Sequence, residues 1–87
     1  MTTALTRPTV RLGTAHIPVR VRRRDIDAAI ALCAHDPLAA RAYADAQAQH
    51  LPQRLAACAG HFQLAYSYAR QAHAAELAAT ELAGGVA

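Results

Sequence analysis

The stretch DIDAAIALCAHDPLAARAYADAQAQH, residues 25–50, holds two helices back to back, and Asp36-Pro37 within it marks the boundary. An aspartate side chain accepts a hydrogen bond from a helix's first free N–H groups. A proline at the first helical position has no N–H to leave unpaired. Upstream of this pair, Ile26, Ile30 and Cys33 recur at helical spacing with Ala29 beside them. Asp25 can cap the start, and Asp27 falls in the first turn, where the helix dipole favours an acid. The first helix is therefore expected over 25–35, ending near Ala34 or His35. The second is expected over 37–50. Its bulky apolar residues are few, Leu38, Tyr43 and Leu51, with Ala39, Ala42 and Ala46 on the same side.

Beyond it, Pro52 disfavours helical geometry at the residue before it, which predicts a break at Leu51. A third helix follows over 53–83 and ends at Gly84-Gly85. Leu55, Cys58, Phe62, Ala65, Ala69 and Ala72 form one stripe along it. Leu64, Tyr68, Ala75 and Leu82 form a second. Two stripes make an apolar face wider than one small neighbour can cover. Gly60 interrupts this helix at a cost of ~1 kcal/mol relative to alanine. It reads as a close backbone approach, as a split into two helices, or as a tolerated surface glycine.

Towards the N-terminus, residues 1–8 look frayed, and residues 9–22 change pattern. Val10, Leu12, Ile17, Val19 and Val21 are apolar, whereas Arg11, His16, Arg20 and Arg22 are polar. Val19-Arg20-Val21-Arg22 alternates with period two, as a half-buried strand does. Gly13-Thr14 is a candidate tight turn, and Pro18 confines any strand there to an edge. This region is expected to be a β-hairpin or an extended arm lying on the helices or on another molecule, because a lone hairpin is marginal in water. The fold class is mainly α: a three-helix bundle or helical hairpin in one domain spanning 1–87, with 1–24 as a basic arm.

Composition explains why such a fold would seek company. Of 87 residues, 54% are apolar, but 24 are alanine and only 17 are Leu, Ile, Val or Phe. Alanine forms helices best yet buries little area. Thin cores of this kind often rely on oligomerisation or a partner. The leading expectation is a non-enzymatic interaction or scaffolding protein that binds itself or another protein. Its docking face would hold Leu55, Phe62, Leu64, Tyr66, Tyr68 and Leu82, tyrosine being enriched at interfaces. No run approaches the ~20 apolar residues of a membrane span. The N-terminus lacks a secretory apolar block, and Pro8 and Pro18 oppose an amphipathic transit helix. With Cys33 and Cys58 too few for a disulfide framework, a cytoplasmic protein with free thiols is expected.

Charge suggests a second function. Residues 1–24 carry six arginines and no acid, and the remainder carries three arginines and six acids, together the formal +3. Lysine is absent; a GC-rich genome would produce the same bias towards alanine and arginine. Arg20, Arg22, Arg23 and Arg24 form the densest cluster, suited to nucleic acid or an acidic partner. A helix-turn-helix would present Arg41, Gln47 and Gln49 from the second helix, but Asp45 there would repel phosphate. A third reading is a small metal-stabilised module. Cys33, His35, Cys58 and His61 make a chemically valid zinc set, although the first pair lacks the usual spacing and both cysteines sit on apolar stripes. Catalysis has no support. There is no nucleophile elbow or phosphate loop. Ser67 lies between two tyrosines in mid-helix, and His73 with Glu76 reads as an ordinary surface pair. No catalytic residue and no cofactor are expected.

Overall fold

The computed structural model describes residues 9–12 and 15–84. Its helices are α1 (Arg23–Leu32), α2 (Pro37–Ala57) and α3 (Phe62–Leu82). Ahead of them the backbone of β1 (Thr9–Leu12) pairs antiparallel with that of β2 (Ala15–Pro18), Thr9 opposite Pro18 and Leu12 opposite Ala15. The turn expected at Gly13-Thr14 lies outside the described residues, as does the Gly85 half of the expected Gly84-Gly85 stop.

Helix α1 begins two residues earlier than its sequence suggests. Asp25 stands in the first turn rather than at the cap, and its Oδ2 accepts the Arg22 backbone N–H at 2.9 Å. That reach backwards pairs an otherwise orphaned amide and extends the helix to Arg23. At the other end, Ala34 and His35 both adopt positive φ and stop α1 at Leu32. Asp36 then caps α2, its side chain accepting from Leu38 N–H at 3.3 Å, with Pro37 in the first turn.

The break expected at Leu51 is absent, and Pro52 lies inside α2. Proline removes the bond to the carbonyl four residues back, here Ala48. Ala48 and Pro52 are both exposed, so water can take that carbonyl. The chain reverses instead at Ala59 (φ 50°) and Gly60 (φ 86°). Two successive left-handed residues end the helix, and glycine adopts that conformation without penalty.

Helix α3 is the spine, and both α1 and α2 pack on it. Early α2 (Ala40, Ala44) meets late α3 (Ala75, Ala79), while late α2 (Leu51, Leu55) meets early α3 (Ala65, Ala69). The two long helices are therefore antiparallel. All seven buried residues of α3 are alanines. In the whole described core only Val19 and Ile30 are bulkier than alanine or cysteine. Methyl-lined faces let helix axes approach closely, and the interlock comes from shape rather than from volume.

Two arginine forks fasten the spine at its rim. Arg23 on α1 donates to both Glu81 carboxylate oxygens at 2.7 and 2.6 Å and to Asp27 at 2.9 Å. Arg41 on α2 repeats the arrangement, donating to both oxygens of Glu76 and, at 3.1 Å, to Asp45. Both forks are exposed, so they set the alignment of α3 more than they stabilise it.

These contacts fix how stability should respond to acid. The Arg41 and Arg23 hydrogen bonds hold Glu76 and Glu81 below the ordinary carboxylate value of 4.5. Their contribution is complete above pH 4.5 and disappears as pH falls through the lowered values. His73, lowered from 6.5 by burial and partly restored by the charge of Glu76, is favoured neutral in the fold. Its protonation opposes folding from about pH 6.5 downwards. Urea midpoints should decline below the first threshold and again below the second. Glu76→Gln with Glu81→Gln should flatten the lower limb. A midpoint that rises on acidification would contradict this account.

Candidate functional site

Residues Val19–Arg22 connect β2 to α1 in an extended conformation, and their alternation is resolved by burial. Val19 is 2% exposed and sits with Cys58, Ala65 and Ala69, and half-buried Val21 packs on the same cluster. Arg20 and Arg22 point outwards. The segment is tied to α3 by Tyr66, whose hydroxyl accepts the Arg20 backbone N–H at 2.8 Å. Phe62 packs against Tyr66 with ring centroids 5.8 Å apart. Between segment and helix runs a cleft of about 620 Å³. Its charged and titratable lining is Arg20, Arg22, Arg70, His73 and Tyr66, and among the described residues no carboxylate lines it.

The acids are committed elsewhere. Asp25 and Asp36 accept from helix-start amides, Asp27 and Glu81 hold Arg23, and Asp45 and Glu76 hold Arg41. Arg54 donates to Gln47 at 2.8 Å and lies over the Tyr68 ring, 5.4 Å from its centroid. Among the described residues, the side chains of Arg20, Arg22, Arg24 and Arg70 have no acidic partner. Guanidinium groups keep their charge at any physiological pH. The result is a positive face that the fold itself does not neutralise.

The sequence-derived sites fare unevenly. Of the arginine cluster, Arg20, Arg22 and Arg24 are exposed, but Arg23 is held by Glu81 and Asp27. Arg70 was missed. Its signal is local: positions 66, 67, 73 and 74 carry no acid, whereas Arg23 and Arg41 each have an aspartate four residues on. The expected His73–Glu76 pair gives way to Arg41–Glu76. Arg41 and Gln47, the base-reading residues of a helix-turn-helix, are both occupied inside the molecule.

In the proposed docking face, Leu55, Tyr66, Tyr68 and Leu82 pack on the chain's own core. Phe62 and Leu64 remain 44% and 48% exposed. Cys33 and Cys58 are buried free thiols in separate clusters, and Cys58 Sγ donates to the Arg54 carbonyl at 3.1 Å. His35 and His61 are exposed. Among the described residues no three His, Cys, Asp or Glu side chains are grouped to hold a metal. No described helix is long and apolar enough to cross a membrane. Comparison with family models, curated proteins and solved structures gives no match.

Proposed function

We propose that this chain is a non-enzymatic nucleic-acid-binding accessory protein that grips phosphates with Arg20, Arg22, Arg24 and Arg70. One observation carries the reading: all six acids are engaged within the fold while, among the described residues, these four arginines have no acidic partner, and Arg20, Arg22 and Arg70 line one cleft. Arginine forks suit phosphate oxygens. An arginine at every second residue of an extended segment suits a regularly repeating polyanion better than the scattered carboxylates of an acidic protein. A cytoplasmic setting with reduced thiols belongs to the same reading.

Fluorescence anisotropy with a labelled oligonucleotide tests it. Four phosphate contacts predict a log–log salt slope of about −3 to −4, so affinity should fall about 100-fold between about 50 and 200 mM salt. Each arginine changed to alanine should reduce the slope by about one. Arg23→Ala should loosen the fold and leave the slope alone. A flat salt response, or full binding by the quadruple alanine variant, would sink the proposal.

A second reading, docking of a protein or a second copy, is favoured by Leu32 and Leu38, exposed at 68% and 81% beside the α1–α2 turn. Sedimentation that shifts with micromolar protein concentration would support it over the first.

A further inference from the structure

We infer that the arginine face and the neighbouring α1–α3 cleft together seat one unpaired nucleotide, phosphate over Arg20, Arg22 and Arg70, base between the helices. This rests on the nucleic-acid reading and adds a preference for single strands with bases.

Arg70 connects the two halves. It lines the 620 Å³ arginine cleft and also a second cleft of about 320 Å³ between α1 and α3. Arg70 is half-buried, and its guanidinium has no hydrogen-bond partner among the described residues. The second cleft has the opposite character to the first. Alanines 28, 29 and 74 give it an apolar surface, Tyr43 adds an aromatic ring, and Asp25 and Gln71 add polar groups. Its volume is at the small end for ligand sites.

A nucleotide has the same polarity as this paired groove. Its phosphate is anionic. Its base is flat, with apolar faces and an edge of N–H donors and acceptors. Asp25 is already oriented, because Oδ2 accepts the Arg22 amide at 2.9 Å; Oδ1 is left to accept from an exocyclic amino group. Gln71 supplies a donor and an acceptor together. In a duplex the pairing edge and both faces of a base are occupied, so only an unpaired base presents them. The carboxylate also separates the two ends: phosphate is repelled from Asp25 and drawn to the arginines.

The test compares an oligocytidine strand with an abasic strand of equal length, at one salt concentration, by anisotropy. The base-bearing strand should bind about tenfold more tightly. Ala28 is exposed on α1, so Ala28→Leu fills the cleft without entering the core. That variant should bring both strands to the abasic affinity and keep the salt slope; Ser67→Leu, at another exposed position of the same cleft, is an independent second filling. Equal binding of the two strands by the unaltered protein, or a preference surviving either folded variant, overturns this inference. If both strands bind equally with a steep salt slope, the nucleic-acid reading stands without it. If neither binds, both fail.

Discussion

Ala75→Leu is expected to lower the thermal midpoint by roughly 10–20 °C. Ala75 is 1% exposed, packed among Cys33, Ala40, Ala44 and Ala79. Leucine adds three carbons to a site whose neighbours are almost all methyl groups. Methyl groups have no alternative rotamers, so the extra volume has to push the helix axes apart. Overpacking of this kind typically costs about 1–3 kcal/mol. The rigid surroundings put this site in the upper half of that range. For a domain of this size, each kcal/mol corresponds to about 4–8 °C. The same change at exposed Ala42 should stay within about 0.5 kcal/mol of the parent. Calorimetry of both variants checks the contrast. An Ala75→Leu midpoint equal to the parent's would mean that the seam between α2 and α3 has room to spare, contrary to the packing described above.

Pro52→Ala should act in the other direction and raise the midpoint by roughly 5–15 °C. In a helix interior, proline is disfavoured against alanine by about 3 kcal/mol. Alanine restores the N–H that the Ala48 carbonyl lacks. Part of the gain is offset because proline also restricts the unfolded chain, by about 0.4–1 kcal/mol. Remaining imperfections of geometry leave a net gain of about 1–2 kcal/mol, which gives the stated rise at 4–8 °C per kcal/mol. Pro52 is exposed, so no buried contact disappears with its ring. A fall in midpoint would show that the backbone geometry at Pro52 is what seats Leu51 and Leu55 against Ala65 and Ala69. The same pair of variants measures how strongly packing on α3 overrides the local preference of the sequence.

That override explains what could be read in advance. Asp36-Pro37 acts through bonds to its own neighbours, and the structure places the α1–α2 boundary there. The Leu51 break was expected from an equally local rule. It gave way because the carbonyl left bare by Pro52 faces water while the opposite face of α2 is held against α3. Gly60 was readable only as a set of alternatives, since a glycine reveals its φ only once the chain has somewhere to turn. The two stripes, too wide for one neighbour, were expected along a helix over 53–83, but Leu55 and Cys58 belong to α2 and its C-cap, and only the part from Phe62 onwards lies on α3. The chain supplies two neighbours, α1 and α2, so the width marks a central helix, and four of the six residues assigned to a partner face inwards. In the arginine cluster, charge density alone could not separate Arg23, with Asp27 one turn away, from Arg20 and Arg22. Arg70 stayed hidden because it stands alone in sequence and joins the others only when α3 lies beside residues 19–22.

The complete engagement of the acids has a consequence for how this chain can change. Replacing Glu81 or Glu76 with a neutral residue would loosen a fork, leave Arg23 or Arg41 held only by its aspartate one turn on, and raise the net positive charge by one. One substitution would therefore trade cohesion for appetite, yielding a floppier molecule with greater attraction to polyanions. An added acid near residues 20–24 would do the reverse, satisfying the grip from within and blunting it. The fold's forks and the proposed grip use separate guanidinium groups, Arg23 and Arg41 on one hand and Arg20, Arg22, Arg24 and Arg70 on the other, and it is the placement of the acids that keeps the two sets apart.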